Sequence, residues 1–500
     1  MSLNASILLH ENDGAAVALR DIRMGETILI EELSKSIKVT EDITKGHKFA
    51  VKEIAQGDNV LKFGYSIGIA TEHIMEGSWI HTHNVKTGLN GLLEYSYEPD
   101  VASNQPIRKS SFYFNGYVRE NGEAGIRNEI WIINTVGCIN KMCEHLAKMG
   151  GSLYGDQIDG IYHFSHPYGC SQLGDDLTYT QTLLASLANH PNAAGILVVG
   201  LGCENNQIEE FKKVIGEQPA GRIKFLTSQE VDDEFEVGME LIGELVEYAE
   251  QFKRQSVPVS KLKIGLKCGG SDGLSGITGN PLAGMISDWI ISEGGTSILT
   301  EVPEMFGAET ILMNRAANEE VFHKIVHLVN DFKEYFIRHG QEIYENPSPG
   351  NKKGGITTLE EKSLGCTQKG GHSIVQDVVP YGEKVKVTGL NLVQSPGNDL
   401  ISVTALAAAG AHIVLFTTGR GTPFGGPVPT VKISTNTELA HRKKNWIDFD
   451  AGRLVDGMKM EDLTDELIED LINLASGKSR TNNEKFEFRE ISIFKDGVTL

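Results

Sequence analysis

Lys263-Ile-Gly-Leu-Lys-Cys-Gly-Gly-Ser-Asp-Gly-Leu-Ser-Gly-Ile-Thr-Gly-Asn-Pro281 decides how the chain is read. Its first six residues have the pattern of a short buried strand. The rest is a polar loop in which Gly269, Gly270, Gly273, Gly276 and Gly279 allow tight or close backbone paths. Between the glycines stand a thiol (Cys268), hydroxyls (Ser271, Ser275, Thr278), a carboxylate (Asp272) and an amide (Asn280). Open α/β sheets bind small ligands just past the carboxyl ends of their strands. A loop this polar in that position is expected to be a site rather than a connector.

Outward from this stretch, strands alternate with helices, the pattern of a parallel sheet. Upstream, Ile130–Thr135, Gly160–Phe164 and Gly195–Val199 are expected strands of Rossmann-like units. Each runs into a glycine–cysteine turn, at Cys138, Cys170 and Cys203, and then into a helix. Phe235, Met239, Ile242, Val246 and Ala249 mark an amphipathic helix by their spacing. Downstream, helices are expected near 281–293, 319–338 and 402–410, and a strand at His412–Phe416 that leads into Gly419-Arg420-Gly421. The span 345–371 shows no periodicity and reads as a long loop, too rich in Thr, Glu, Lys and Cys for a plain tether. The charged stretch from Gly477 reads as peripheral.

Residues 1–95 have another texture. Short strands lie between Asn-Asp-Gly, Met-Gly, Lys-Gly, Gln-Gly and Glu-Gly turns, which predicts a small all-β module; Asp42–Ala50 and Val51–Ala55 read as helical turns. The polar, proline-bearing stretch 94–111 reads as a linker, and Gln255–Ser260 as a second boundary. The fold class expected is α/β: a small N-terminal all-β module, 1–95, then a central α/β domain, 112–255, and a C-terminal α/β catalytic domain, 261–500.

The chain has 500 residues and a net charge of −21. No basic stretch with interleaved aromatics is present, so nucleic acid is not the expected partner. No apolar run is long enough to cross a bilayer, and the N-terminus lacks a basic leader segment. The six cysteines form no Cys-x-x-Cys pair, and a cytoplasmic protein with reduced thiols is expected. Small thiols also fit tight turns as buried hydrophobes.

Candidate chemistry falls in three places. His81 and His83, at the end of an expected strand, would point to one face and could share a divalent metal; His10, Asp13 or a thiol could complete the set, and two hydrogen-bonded surface histidines are the plain alternative. His47, Lys48 and Lys62 lie in the same module: Lys48 and Lys62 could hold a carboxylate, and His47 or Lys48 could act as a base. Arg420 would suit a carboxylate through its planar fork. Gly200-Leu-Gly202 follows a strand but lacks the third glycine of a dinucleotide fingerprint.

The segments Gly46-His-Lys-Phe-Ala50, Tyr65-Ser-Ile-Gly68, His81-Thr-His-Asn84, His166-Pro-Tyr-Gly-Cys170, Gly200-Leu-Gly-Cys-Glu204, Thr357-Thr-Leu-Glu-Glu-Lys-Ser-Leu-Gly-Cys366 and Ser395-Pro-Gly-Asn398 resemble those of the altronate/galactarate dehydratase family. That family also includes two-part sulfolactate lyases. The resemblance implies an N-terminal β-clip (SAF-type) module. It also implies dehydration of a sugar acid to a 2-keto-3-deoxy acid, assisted by Fe2+ or Mn2+. The resemblance does not assign the ligands; the residues themselves make His47 or Lys48 the expected base, put Lys62, Tyr65, Asn84, Asp272 and Arg420 toward the substrate, and give His81 and His83 to the metal. The alternatives are a galactarate-type dehydratase, a non-catalytic sugar-acid binding protein, and an iron–sulfur dehydratase using Cys170, Cys203, Cys268 or Cys366. The partner expected is a small sugar acid, with a homo-oligomer as a further expectation.

Overall fold

The computed structural model describes residues 5–100 and 110–497. The N-terminal module is built of small antiparallel sheets. One joins Ser6–Ile7, Ala15–Ala18, Lys48–Ala50 and Trp79–Ile80. A hairpin pairs Thr27–Ile30 with Lys35–Lys38, and a third sheet joins Asn59–Lys62, Tyr65–Ala70 and Val85–Lys86. Lys48–Ala50 is a correction: it is a central strand, fully buried, and not a helical turn. Phe49 and Ala50 face two apolar clusters on opposite sides of it, and burial on both faces hides the period-2 alternation. One of these clusters takes in Ala308 and Leu364 from the C-terminal part of the chain.

The central region holds a four-stranded parallel sheet in the order Gly160–His163, Glu129–Asn134, Ala193–Gly200, Ile223–Thr227. Helices Asn140–Tyr154, Gly174–Ala188, Ile208–Ile215 and Glu234–Ala249 pack on it. The expected boundary at Gln255–Ser260 is instead largely strand: Arg254–Pro258 pairs antiparallel with Tyr113–Val118.

The C-terminal region is organised on a seven-stranded, all-parallel sheet. Its order is Val375–Val379, Gly389–Val393, Thr296–Leu299, Lys263–Cys268, Ile413–Thr418, Thr430–Ser434, Phe449–Asp450. Lys263–Cys268 is the middle strand, so its carboxyl end opens at the centre of the sheet's ligand-binding edge.

Two further expectations are corrected. The span 345–371 is not an irregular loop: it contains helices Pro349–Lys353 and Leu359–Thr367. Every residue of Leu359–Thr367 is buried, so no apolar stripe exists to be read. The stretch after Gly477 is not peripheral either. The Arg489 side chain is buried and grips Glu129 of the central sheet with two hydrogen bonds, of 3.0 and 3.1 Å, and Arg127 holds Glu484 likewise at 2.7 and 3.1 Å. Ile491 and Ile493 enter the core. In the linker, Tyr97 donates to Ala316 O at 3.0 Å and Tyr95 to Glu309, so its described part lies along the C-terminal region; positions 101–109 lie outside the described residues.

Removing one partner of a buried ion pair strands the other's charge, at a cost of about 3–5 kcal/mol. Arg489→Ala is therefore expected to lower the unfolding free energy by about that much, read by denaturant titration, with Arg442→Ala, an exposed arginine, nearly silent.

Candidate active site

The middle strand delivers Cys268 to the sheet edge. Past the neighbouring strand Thr296–Leu299, the turn that follows carries Glu301 and Glu304; Glu301 has φ +71. Helix Leu359–Thr367 lies across both and brings Cys366. The Cys268 and Cys366 sulfurs are 3.3 Å apart, and Glu304 Oε2 is 3.4 Å from the first and 3.1 Å from the second. All three residues are buried, with ligand-type atoms within 4.8 Å of one another.

Around them is a buried lattice of charges. Glu304 accepts from Lys362 at 2.8 Å, and Glu301 from Lys369 at 2.6 Å and from Lys267. On the preceding turn of the same helix, Glu361 accepts from Lys48 and Lys62, each at 2.8 Å. Burial pushes the Glu361 carboxyl up, but the two ammonium groups overcome it and hold it at about 2. Burial likewise pushes the Glu304 carboxyl up, and Lys362, Lys267 and Lys369 more than reverse it, so it stays ionised. The hydrogen bond from Cys366 lowers the Cys268 thiol against the opposing effect of burial, with Lys369 assisting. The lysines Lys48, Lys62, Lys267, Lys362 and Lys369 thus face the buried glutamates Glu301, Glu304 and Glu361, with the half-buried Asp399 on Lys267. With Asp272 on the same cavity wall, the five lysines meet five carboxylates, in a chain whose total charge is strongly negative.

A cavity of about 20 Å³ lies between these groups, lined by Lys62, Ser271, Asn280, Glu361, Lys362 and Cys366 among others. The Ser271 hydroxyl is buried there without a hydrogen-bond partner among the described residues. A buried hydroxyl of that kind fits a ligand or water that completes it.

The residues expected from sequence divide. Lys62 lines the cavity. Lys48 stands behind it: its ammonium donates to Gly355 O (3.0 Å), Thr357 Oγ1 (2.5 Å) and Glu361 (2.8 Å), so all three donors are engaged. Burial lowers it to about 8 against the pull of Glu361. His47 takes the Trp79 indole N–H on Nδ1 (3.2 Å) and faces Lys353 O with Nε2 (3.3 Å). His81 accepts from Thr82 N on Nδ1 (2.7 Å), and its Nε2 meets Lys352 O (2.8 Å). Burial, then the Lys48 charge, lowers His81 to about 4. These three side chains pin the carbonyls of Lys352, Lys353 and Gly355 in that turn.

The premise that His81 and His83 share a strand face does not hold. The strand ends at Ile80, residues 81–84 form a turn, and His83 is exposed, its ring 5.0 Å from that of Trp79. Asn84 closes that turn, donating to Trp79 O at 2.8 Å and accepting from His81 N at 3.0 Å. Asp272 lines the cavity but is satisfied by Leu274 N, Ser275, Thr435 and Asn436. Tyr65 is half exposed, in a separate cleft. The Arg420 side chain is exposed; only its backbone N–H reaches the glycine loop, at Gly270 O (2.9 Å).

The sequence reading places Glu361 and Lys362 in a chemistry-rich span without a role, and does not single out Glu301 or Glu304. Thr358-x-x-Glu361 was the available signal, since it matches a helix-start pattern, and Thr358 does cap the helix through Glu361 N.

Comparison with known proteins agrees with this architecture. Residues 4–88 match the "Altronate/galactarate dehydratase SAF domain", 116–250 the "D-galactarate dehydratase/Altronate hydrolase, second domain", and 259–499 the "D-galactarate/Altronate dehydratase, C-terminal" family model. The chain belongs to the altronate/galactarate dehydratase family. Within it, the chain is 54% identical over 501 residues to the altronate dehydratase of Bacillus subtilis (strain 168), covering 100% of both. It is 51% identical to the altronate dehydratase of Escherichia coli (strain K12), over 99% of each. Identity to the galactarate dehydratase (L-threo-forming) of the same organism is 30%, over 98% of this chain and 96% of the other. The expectations of a SAF-type module, a parallel α/β body and a dehydratase are met. No helix among the described residues is long and apolar enough to cross a membrane.

Glu361 is held below its ordinary value of 4.5 in the folded chain. Its contribution is therefore complete above that value and is lost as pH falls toward 2. Unfolding titrations between pH 5 and 2 (about the span separating the two values) should show stability falling with pH. In Glu361→Gln this part of the slope should vanish, with a loss at neutral pH of about 3–5 kcal/mol from the stranded lysines.

Proposed function

We propose that the chain dehydrates D-altronate to 2-dehydro-3-deoxy-D-gluconate. The observation that carries the substrate is the contrast in identity over nearly the whole chain: 54% and 51% to two altronate dehydratases against 30% to a galactarate dehydratase. The reaction breaks the C2–H bond, expels the C3 hydroxyl as water and leaves an enol that becomes the 2-ketone. Negative charge grows on the carboxylate end as the α-proton departs, and preorganised cations there lower the barrier.

The cavity wall suits this. Lys62 gives a donor to Glu361 and Lys362 gives donors to Glu304 and Asn346, and both border the cavity. We assign them to the substrate carboxylate, with Ser271 and Asn280 to its hydroxyls. Proton removal and delivery fall to the titratable groups of the same wall. His47, Lys48 and His81, whose polar atoms are engaged, are positioning residues for the turn that carries this wall.

We infer that Cys268, Cys366 and Glu304 would hold the divalent ion. Two soft sulfurs and one carboxylate suit iron(II) better than manganese(II). Two thiolates on one tetrahedral ion at about 2.3 Å lie roughly 3.8 Å apart, so the present 3.3 Å would open slightly. Bound there, the ion would supply Lewis-acid polarisation of substrate oxygens. Six free thiols suit a reducing compartment, and we place the activity in the cytoplasm.

A panel of aldonates and aldarates, assayed with anaerobic iron(II) for 2-keto-3-deoxy acid, should give product from altronate at least about 10-fold faster than from galactarate, a gap of about 1.4 kcal/mol. Preference for galactarate, or no product at all, would overturn the substrate assignment. Lys62→Ala should lower kcat/KM by about 100-fold or more, the scale of one lost charge-stabilising donor. Cys268→Ser/Cys366→Ser should lose iron by elemental analysis while the fold is retained by circular dichroism; unchanged iron content at this site would sink the ligand assignment.

A further inference from the structure

Two voids meet at one side chain. The cavity of about 20 Å³ beside Lys62 is separated from a cleft of about 530 Å³ whose walls include Tyr65, Thr310, Asn314 and Gln368. Phe63 borders both, and among the described residues no other lining residue is shared. The wall around it is thin: Asn280 and Gly365 border the inner cavity, and their chain neighbours Pro281 and Leu364 border the cleft. The half-buried Phe63 ring comes from the N-terminal module, and its tip rests on the glycine loop of the body. A Cβ on Gly276 would lie 3.0 Å from Phe63 Cζ and 3.1 Å from Gly365 Cα. The Lys62 ammonium lies over the ring, 4.8 Å from its centroid.

The backbone holds that ring in place against its own preference. Lys62 pairs with Tyr65 across the hairpin, so Phe63 and Gly64 form a two-residue turn. Their φ values are +62 and +79, the pattern of a type I′ turn, for which Asn-Gly is the favoured pair. A bulky side chain at positive φ is an outlier, and such strain persists only where the surroundings impose it. Here they do: the carboxylate of the buried Asp13 accepts from Phe63 N at 3.0 Å and from Gly64 N at 2.8 Å. Asparagine would make the turn with less strain, but it would not fill the space between the two voids. A large apolar ring fills it, and has no hydrogen bond to break when it swings aside.

We propose that Phe63 is the gate between an outer cleft that receives the sugar acid and the inner cavity where Lys62 and Lys362 stand. With the ring turned aside the two voids join, and the cleft's hydroxyls and amides face the polyol while the lysines face the carboxylate. With the ring in place the inner cavity is capped and bulk water is kept from the reacting groups. The identity of the substrate rests on the dehydratase reading above; the gate itself does not.

The test uses the full chain, freed of metal by a chelator, without substrate. Alkylation by iodoacetamide is followed at each cysteine by peptide mass spectrometry. Cys366 is buried and borders the inner cavity, so its alkylation reports how often that cavity opens. In Phe63→Ala it should proceed at least about 10-fold faster than in the parent chain. Cys143, buried in the core of the central region, should keep its rate, because a gate opens without loosening the fold elsewhere. Phe63→Asn repeats the test with a residue suited to the turn, so poor folding of the alanine variant does not decide the result. Equal Cys366 rates in the parent and both variants, or Cys143 accelerated as much as Cys366, would overturn the gate. Absence of altronate turnover in the parent, with the labelling contrast intact, would overturn the substrate assignment and leave the gate standing.

Discussion

Glu361 sits between Lys48 and Lys62, and the rest of the assembly depends on that arrangement. Both lysines come from the N-terminal module and the glutamate from a helix of the C-terminal body, and all three are nearly inaccessible to solvent. Two desolvated cations on one carboxylate are tolerable only with close geometry and full hydrogen bonding. Thr357 Oγ1 and Gly355 O complete Lys48, and Thr357 N completes Glu361. The bond thereby fixes where the module docks. It also orients the helix that carries Lys362 and Cys366 into the cavity.

The same helix explains why so much charge is buried. A core stabilised by apolar packing has no use for this many lysines, whose desolvation costs several kcal/mol each. Their cost is offset by Glu301, Glu304 and Glu361, with Asp399 on Lys267 and Asp272 on the cavity wall. An acidic protein that handles an acidic substrate needs cations placed at the site itself, and burial gives them strength because few counter-ions can screen them. The Cys268 thiol is lowered by its hydrogen bond with Cys366, whereas that same bond and burial raise Cys366.

Much of the frame was legible. The central strand was found because Lys263–Cys268 is apolar, short and followed by glycines. The helices Ile208–Ile215 and Glu319–Arg338 were found because one face of each meets solvent and leaves a period to read. Leu359–Thr367 was missed for the opposite reason, since burial all round leaves no stripe. Lys48 and Lys62 were recognised as chemically important, but the carboxylate between them lies about 300 positions away, and pairing over such a span has no local signature. His81 and His83 suggested a metal because their spacing was read as strand; a turn closed by Asn84 turns the two rings to different uses. The tail was misjudged because its arginines and glutamates look solvated, whereas Arg489 and Glu484 meet partners deep in the fold.

The cavity beside Lys62 has room for one water molecule, at about 20 Å³. Pockets that enclose a small organic ligand are on the order of 300 Å³ or more. The floor is sheet and the back wall a helix with no slack around it, so the space has to come from the seam where the module meets the body. There Gly273 and Gly355 come so close to Gly46 O that a Cβ on either would collide with it. Admission of substrate and release of water and product then become one mechanical event, a parting of that seam. An inhibitor shaped to wedge it would work without resembling a sugar acid.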